Sequence, residues 1–174
     1  MTFIHPFDDE DVIVGQGTVG HEIFTQVQGA IDYIFIPVGG GGLCAGVAAY
    51  IKSLSPETKI IAVETLDAAC LNSALTEGKP VKLKSVGLFA DGTAVAEIGE
   101  KTFRILKELV DDVVLVSTDE ICAAIKDIYN EVRAICEPSG AMSLAGLKKF
   151  VSQNAISESS CLLYTSDAAD DRMR

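Results

Sequence analysis

The sequence predicts an α/β fold built on a parallel β-sheet. Three apolar runs rich in β-branched residues, at positions 33–38, 59–64 and 112–117, have the composition of buried strands. Each of these runs is followed by a segment that favours a helix. Buried strands that alternate with helices form α/β architectures, and two such strands joined by a helix make a right-handed βαβ unit in a parallel sheet.

The segment before the first strand is predicted to contain a loop, a turn and one helix. Residues 1–11 are polar and carry an acidic cluster, which is typical of a solvated loop. The tetrapeptide Gly15-Gln16-Gly17-Thr18 has the composition of a turn. Its last residue, Thr18, is a suitable N-cap, so we expect a helix that runs from there to about residue 28.

Local signals place the later helices as well. The pair Ser55-Pro56 ends the helix that follows the first strand. Ser117 and Glu120 have the spacing of a capping box, and Pro138 suits the first turn of a helix. The helices predicted on these and similar grounds span residues 68–77, 98–110, 118–135 and 138–151, in addition to the one that ends near residue 54.

Composition and charge exclude several classes of protein. The 174 residues are enough for one domain with a core, and the net charge of −11 argues against nucleic acid and anionic membranes as partners. No run of about 18 apolar residues and no leader-like segment is present, so the cytoplasm is the expected location. The five cysteines and two histidines lack the spacing of a zinc site, and we predict no bound metal.

Four consecutive glycines, Gly39 to Gly42, connect the first strand to the next helix. Glycines lack Cβ atoms and therefore allow backbone N–H groups to approach a ligand closely. The free N–H groups and the positive dipole end of the following helix favour an anion at the same position. The stretch therefore predicts a phosphate-binding site.

One interpretation of this turn is a dinucleotide site. Gly40, Gly42 and Ala45 satisfy the pattern G-x-G-x-x-A, and Glu64 ends the next strand, where an acid that binds ribose belongs. On this interpretation the chain is an NAD(P)-dependent oxidoreductase with a Rossmann-type glycine turn.

The second interpretation rests on five motifs that occur in order along the chain. The motifs are GQGT at 15–18, VGGGGL at 38–43, VGLFADG at 86–92, EPSGA at 137–141 and GLKK at 146–149. With these motifs, the chain resembles the C-terminal half of the catalytic domain of threonine dehydratase (threonine ammonia-lyase), biosynthetic type, a pyridoxal-phosphate enzyme of fold type II. That resemblance implies an incomplete three-layer large domain with a parallel sheet.

The resemblance implies roles for seven residues in binding pyridoxal 5'-phosphate. The glycines and the residue after them would bind the cofactor phosphate through backbone N–H groups. Ser139 would place its hydroxyl at the pyridine nitrogen, and Gly92 would allow close backbone approach. The residues implied for the phosphate are Gly39, Gly40, Gly41, Gly42 and Leu43.

The resemblance also implies what the chain lacks. The family's Schiff-base lysine belongs to an N-terminal half that is not present, so we expect no catalytic residue here and an inactive fragment. Some relatives bind a divalent cation through a glutamate and a carboxylate six residues later; here these positions hold Glu64 and Cys70, and a hard cation prefers oxygen ligands. We therefore expect Glu64 to be structural or to line the site.

For the whole enzyme, the resemblance implies conversion of L-threonine, and of L-serine as a second candidate, to a 2-oxo acid and ammonia. For L-threonine the product is 2-oxobutanoate, at the first step of isoleucine biosynthesis, and the family suggests a homo-oligomer. A third, non-enzymatic alternative is that the chain is only a binding or unfolded fragment, because half of a catalytic domain exposes surfaces meant to be covered.

The C-terminal residues differ in character from the rest. Residues 1–154 are predicted to form the domain, and residues 155–174 to be a tail outside it. Within that tail, residues 161–171 resemble the translation of an adaptor used in making sequencing libraries. Finding those codons in genomic DNA would contradict this hypothesis.

Overall fold

The structure is a computed structural model that describes residues 4–156 and the backbone of residues 161–163. Its parallel sheet is flanked by helices on both faces. The strands are β1 (Tyr33–Pro37), β2 (Lys59–Thr65), β3 (Asp112–Val116) and β4 (Cys161–Leu163). The helices are α1 (Glu10–Gln26), α2 (Gly42–Leu54), α3 (Cys70–Glu77), α4 (Glu100–Leu109), α5 (Thr118–Val132) and α6 (Pro138–Asn154).

The sheet has the strand order β3-β2-β1-β4, and every neighbouring pair is parallel. Ile34 pairs with Ile60, so the two longest apolar runs lie side by side at the centre. All carboxyl ends of the strands meet at one edge, which is where parallel sheets bind ligands. Among the described helices, none is long and apolar enough to span a membrane.

Alternate residues of β1 and β2 face two separate cores. Ile34 and Ile60 pack with α1, α2 and α4 on one face, while Phe35 and Ile61 pack with α5 and α6 on the other. All four side chains are at most 1% exposed. The α/β class, the parallel sheet and the three layers predicted from the sequence are therefore confirmed.

The prediction of a turn at residues 15–18 is wrong. Those residues lie inside α1, which begins earlier because Asp9 accepts hydrogen bonds from the N–H groups of Asp11 and Val12. The acidic cluster is thus in part the N-terminus of a helix, where negative charge is favourable. Gly17 lies inside a helix for a packing reason: a Cβ there would be 3.3 Å from the carbonyl oxygen of Gly46 in α2.

Three residues of the predicted C-terminal tail add a strand to the sheet. The backbone of Cys161–Leu163 pairs with β1 at Tyr33 to Phe35. An unpaired strand edge accepts an extended apolar segment readily, which accounts for this pairing. Helix α6 ends at Asn154. The domain boundary at residue 154 and the adaptor origin of residues 161–171 stay predictions.

Asp8 joins the N-terminal segment to the start of α4. Its carboxylate accepts from the backbone N–H groups of Glu100, Lys101 and Thr102 at 3.1, 2.7 and 3.2 Å. The N-cap of α4 itself, Gly99, has no side chain to do this. Asp8 therefore satisfies donors that would otherwise lack a partner at this helix end.

Replacing Asp8 by alanine is expected to lower the free energy of unfolding by about 1–2 kcal/mol, because α4 loses its cap and a favourable charge. Urea denaturation measures this change. The control is Glu22→Ala, an exposed acid of α1 that lies outside the first turn of the helix, which we expect to change stability by less than about 0.5 kcal/mol. Equal stability of the two variants would contradict the capping role of Asp8.

Candidate functional site

A cavity of about 430 Å³ opens at the carboxyl end of β1, where the four-glycine turn leads into α2. Its walls come from the N-terminal segment, the glycine turn, the loop at residues 92–95 and the start of α6. The structure brings together every residue that the sequence singled out for a cofactor. Those lining residues are Gly39, Gly40, Gly41, Gly42, Leu43, Gly92 and Ser139.

The glycine turn presents backbone donors to this cavity. Gly41 is the N-cap of α2, has a φ of 91°, and provides no side-chain hydrogen bond to the helix. The first N–H groups of a helix have no acceptor within the helix, and the helix dipole makes this end positive. An L-residue with a side chain rarely adopts such a φ, so glycine is needed at this position. The turn is therefore suited to an anion.

Ser139 supplies an unpartnered hydroxyl to the same cavity. The residue is 4% exposed, and among the described residues its Oγ atom has no hydrogen-bond partner. A buried hydroxyl without a partner destabilises the free protein, which is typical of a group held for a ligand. A Cβ on Gly92 would lie 2.9 Å from this Oγ atom, so only glycine leaves the hydroxyl accessible there.

Phe7 is a lining residue that the sequence analysis missed. A Cβ on Gly40 would lie 2.2 Å from the Phe7 ring, so the ring packs directly on the glycine turn. Phe7 lies in a tight turn held by His5, whose Nδ1 atom accepts from the N–H of Asp8 at 2.9 Å. An aromatic residue within a polar segment indicates that Phe7 could be buried, but it does not predict that Phe7 packs on the glycine turn.

Glu64 does not lie in the cavity. It is fully buried, and its two carboxylate oxygens accept from the N–H groups of Leu71 and Asn72 at 2.7 and 2.8 Å. Both oxygens therefore cap α3, which contradicts the ribose-binding role required by the dinucleotide interpretation. The expected structural role of Glu64 agrees with this geometry. Within residues 4–156, no group of three or more His, Cys, Asp or Glu side chains is placed to hold a metal ion.

The environment of Glu64 predicts a pH effect. Burial raises the pKa of its carboxyl from 4.5 to about 7, although the hydrogen bonds from Asn72 and Leu71 favour the ionised form. The folded state therefore holds a proton that the unfolded state releases above its ordinary pKa. The protonated carboxyl therefore contributes its full share to the free energy of unfolding below pH 4.5. That contribution is lost as the pH rises to about 7.

As the pH rises from 4.5 to about 7, the free energy of unfolding of the wild-type chain should fall by up to about 3 kcal/mol relative to that of Glu64→Gln. This figure follows from about 1.4 kcal/mol for each unit by which the pKa is raised. Urea denaturation of both proteins across this range measures the difference. Since glutamine does not titrate, any pH dependence shared by both proteins comes from other groups. Parallel curves for the two would rule out a raised pKa.

Comparison with known proteins decides the family. A family model described as "Pyridoxal-phosphate dependent enzyme" matches residues 1–167. The chain belongs to the pyridoxal-phosphate dependent enzyme family.

Several members of the pyridoxal-phosphate dependent family are similar over most of this chain. It is 60% identical over 156 residues to L-threonine dehydratase biosynthetic IlvA of Pasteurella multocida, which covers 90% of this chain and 30% of that protein. It is 52% identical to the protein of the same name from Burkholderia multivorans, covering all of this chain and 35% of that protein. The chain thus spans about a third of the length of these curated relatives.

A solved structure shares the fold. The processed form of threonine deaminase isoform 2 from Solanum lycopersicum superposes with a TM-score of 0.91 and 46% identity, over 99% of this chain and 51% of that one. Pyridoxal phosphate carries a phosphate group and a ring nitrogen. The cavity offers matching groups, because it has free backbone donors at a helix N-terminus and an unpartnered buried hydroxyl.

Proposed function

We propose that this chain forms the phosphate-binding half of the cofactor site in a pyridoxal-phosphate dependent threonine dehydratase. One observation carries the proposal: the glycine turn and the unpartnered hydroxyl of Ser139 line the same cavity. The names of the relatives with 52–60% identity support the choice of activity.

Each group in the cavity has a defined task in this proposal. The backbone N–H groups of Gly39 to Leu43 bind the phosphate, and the dipole of α2 stabilises its charge. The Ser139 hydroxyl forms a hydrogen bond with the ring nitrogen, and Gly92 leaves room for the ring beside that hydroxyl. When bound, pyridoxal phosphate supplies an electron sink for bond cleavage in an amino acid. Because serine is neutral, it orients the ring without holding a proton on its nitrogen.

The substrate, product and assembly belong to the same proposal. The whole enzyme converts L-threonine, or L-serine, to a 2-oxo acid and ammonia, and acts as a homo-oligomer. No lysine lines the cavity among the residues that the structure describes. We infer that the amine needed for catalysis comes from a part of the enzyme outside this chain, and that the chain alone is inactive.

Calorimetric titration with pyridoxine 5'-phosphate tests the binding role. This analogue has no aldehyde, so it cannot react with surface lysines. The proposal requires tighter binding than that of pyridoxine, which lacks the phosphate. Binding of NAD in place of pyridoxine 5'-phosphate would instead support the dinucleotide interpretation and reject this proposal.

Replacing Ser139 by alanine should have two opposite effects. The free chain should gain about 1 kcal/mol of stability, because an unpartnered buried hydroxyl is removed, and its affinity for pyridoxine 5'-phosphate should fall about tenfold. The control is Ser143→Ala, one turn further along α6. Ser143 is buried and has an interaction partner in the free chain, so this change should lower stability and leave binding unchanged. A loss of stability in Ser139→Ala would indicate a merely structural serine.

A further inference from the structure

Two buried side chains that do not line the cavity donate hydrogen bonds to carbonyl oxygens of the glycine turn. The hydroxyl of Thr102 in α4 donates to the carbonyl oxygen of Gly40 at 2.8 Å, and the thiol of Cys70 in α3 donates to that of Gly39 at 3.2 Å. Both side chains are fully buried, and neither lines the cavity.

These contacts determine where the N–H groups of the turn point. In a trans peptide unit the C=O and the N–H point in opposite directions, and the described chain has no cis peptide bond. Holding the carbonyl of Gly40 toward Thr102 therefore directs the N–H of Gly41 the other way. In the same manner, the bond from Cys70 to Gly39 directs the N–H of Gly40.

We propose that Thr102 and Cys70 are positioning residues that aim the N–H groups of Gly41 and Gly40 into the cavity and so determine its affinity for a phosphate group. This inference rests on the proposed function, since it concerns how the same site binds its ligand. The two residues act through the backbone and touch no part of the ligand.

The thiol contributes less than the hydroxyl. An S–H group is a weaker donor than a hydroxyl, and the Thr102 hydroxyl lies nearer to the carbonyl oxygen of Gly40, at 2.8 Å, than to its second acceptor, that of Gly99, at 3.1 Å. Burial raises the pKa of Cys70 to about 12, and the Glu64 carboxylate adds to this through its charge and a side-chain hydrogen bond, so the thiol keeps a proton that the carbonyl of Gly39 shares with Glu64. The carbonyl of Gly40 has a second donor, the N–H of Gly99, but at the longer distance of 3.4 Å.

Both side chains are themselves held at the first turn of a helix. Asp8 caps α4 through the N–H of Thr102, and Glu64 caps α3 through the N–H of Leu71, the residue after Cys70. The first turns of α3 and α4 therefore carry the two side chains that bind the carbonyl oxygens of the glycine turn. The phosphate site depends on contacts between segments that lie far apart in the sequence.

The test compares a ligand with and without its phosphate in the full 174-residue chain. Calorimetric titration gives the dissociation constants for pyridoxine and pyridoxine 5'-phosphate, and their ratio is the phosphate preference. Thr102→Val should lower this preference about tenfold and Cys70→Ala about threefold, with the affinity for pyridoxine unchanged. Thr102→Ser and Cys70→Ser keep a donor and should retain the preference.

Thr58→Val is the matched control. The Thr58 hydroxyl is also buried and donates to a backbone carbonyl, that of Ile31, at 2.8 Å, but it lies at the opposite end of the sheet. This variant should lose stability and keep the wild-type phosphate preference. An equal loss of preference in Thr58→Val would overturn the inference, because any lost hydrogen bond would then have the same effect.

The remaining outcomes separate the inference from the proposed function. If the wild-type chain prefers the phosphate and both Thr102→Val and Cys70→Ala retain that preference, the positioning role alone is wrong. If the wild-type chain has no preference, the proposed function fails and the inference fails with it. Should Thr102→Val not fold, as judged by circular dichroism, the comparison of Cys70→Ala with Cys70→Ser decides, and equal preferences would overturn the inference.

Discussion

Replacing Gly46 by alanine is expected to destabilise the chain by about 3 kcal/mol, near the upper end of what overpacking usually costs. The added Cβ would lie 2.4 Å from the carbonyl oxygen of Ile13 and 2.6 Å from the backbone nitrogen of Gly17. Both atoms belong to the backbone of α1, which cannot move aside as a flexible side chain can. Helices α1 and α2 must therefore separate, and the contacts between them weaken. Urea denaturation measures the loss.

Gly15→Ala is the control for this change. Gly15 lies in α1, the helix against which Gly46 of α2 packs, but it is exposed, and a Cβ added there would meet nothing within 4 Å. Alanine there should stabilise the helix by about 0.5–1 kcal/mol, because glycine loses more backbone entropy on folding. The two substitutions should thus have opposite signs. A neutral Gly46→Ala would mean that α1 and α2 are not closely packed at this point.

Replacing Gly41 by alanine is expected to abolish most of the phosphate binding. The φ of 91° at Gly41 is unfavourable for alanine, and the added Cβ would lie 2.8 Å from Ile98 and 2.9 Å from Leu106. Relief of this strain rotates the peptide units of the turn and moves their N–H groups away from the ligand. We expect the affinity for pyridoxine 5'-phosphate to fall about 100-fold, as for the loss of one or two hydrogen bonds to a charged group. Calorimetric titration measures this affinity.

Gly78→Ala separates this effect from backbone strain alone. Gly78 also has a positive φ, 73°, at the end of α3, and a Cβ there meets nothing within 4 Å. Its replacement should cost about 1–2 kcal/mol of stability, since alanine is strained in the left-handed region. Its affinity for pyridoxine 5'-phosphate should equal that of the wild type. If Gly41→Ala bound the ligand equally well, the glycine turn would not be the phosphate site.

Local sequence patterns were sufficient for strands β1, β2 and β3 and for most helices. The strand predicted at 59–64 is observed as Lys59–Thr65, and the capping box of Ser117 and Glu120 is present at the start of α5. Such features depend on residues within a few positions of one another, and hydrophobic runs and capping pairs report them directly. The four glycines before a helix line a cavity, and their role in binding an anion stays a prediction.

Local patterns led to wrong predictions where a contact with a segment distant in the sequence determines the structure. The sequence Gly15-Gln16-Gly17-Thr18 favours a turn, yet it is helical because Gly17 allows α2 to approach closely. Asp8 was predicted to be solvated, but it caps a helix that begins 92 residues later. The residues adjacent to Gly17 and Asp8 in the sequence give no indication of either contact.

The sequence by itself determined that this chain is an α/β domain with a four-glycine turn, predicted to bind phosphate, between its first strand and the next helix, because strand, turn and helix are encoded by adjacent residues. Only the tertiary structure decided that Gly92 and Ser139 share a cavity with that turn, and that Thr102 and Cys70 donate hydrogen bonds to its carbonyl oxygens. These residues come from separate loops and helices. Their meeting depends on how the layers pack around the sheet, which has no local signature in the chain.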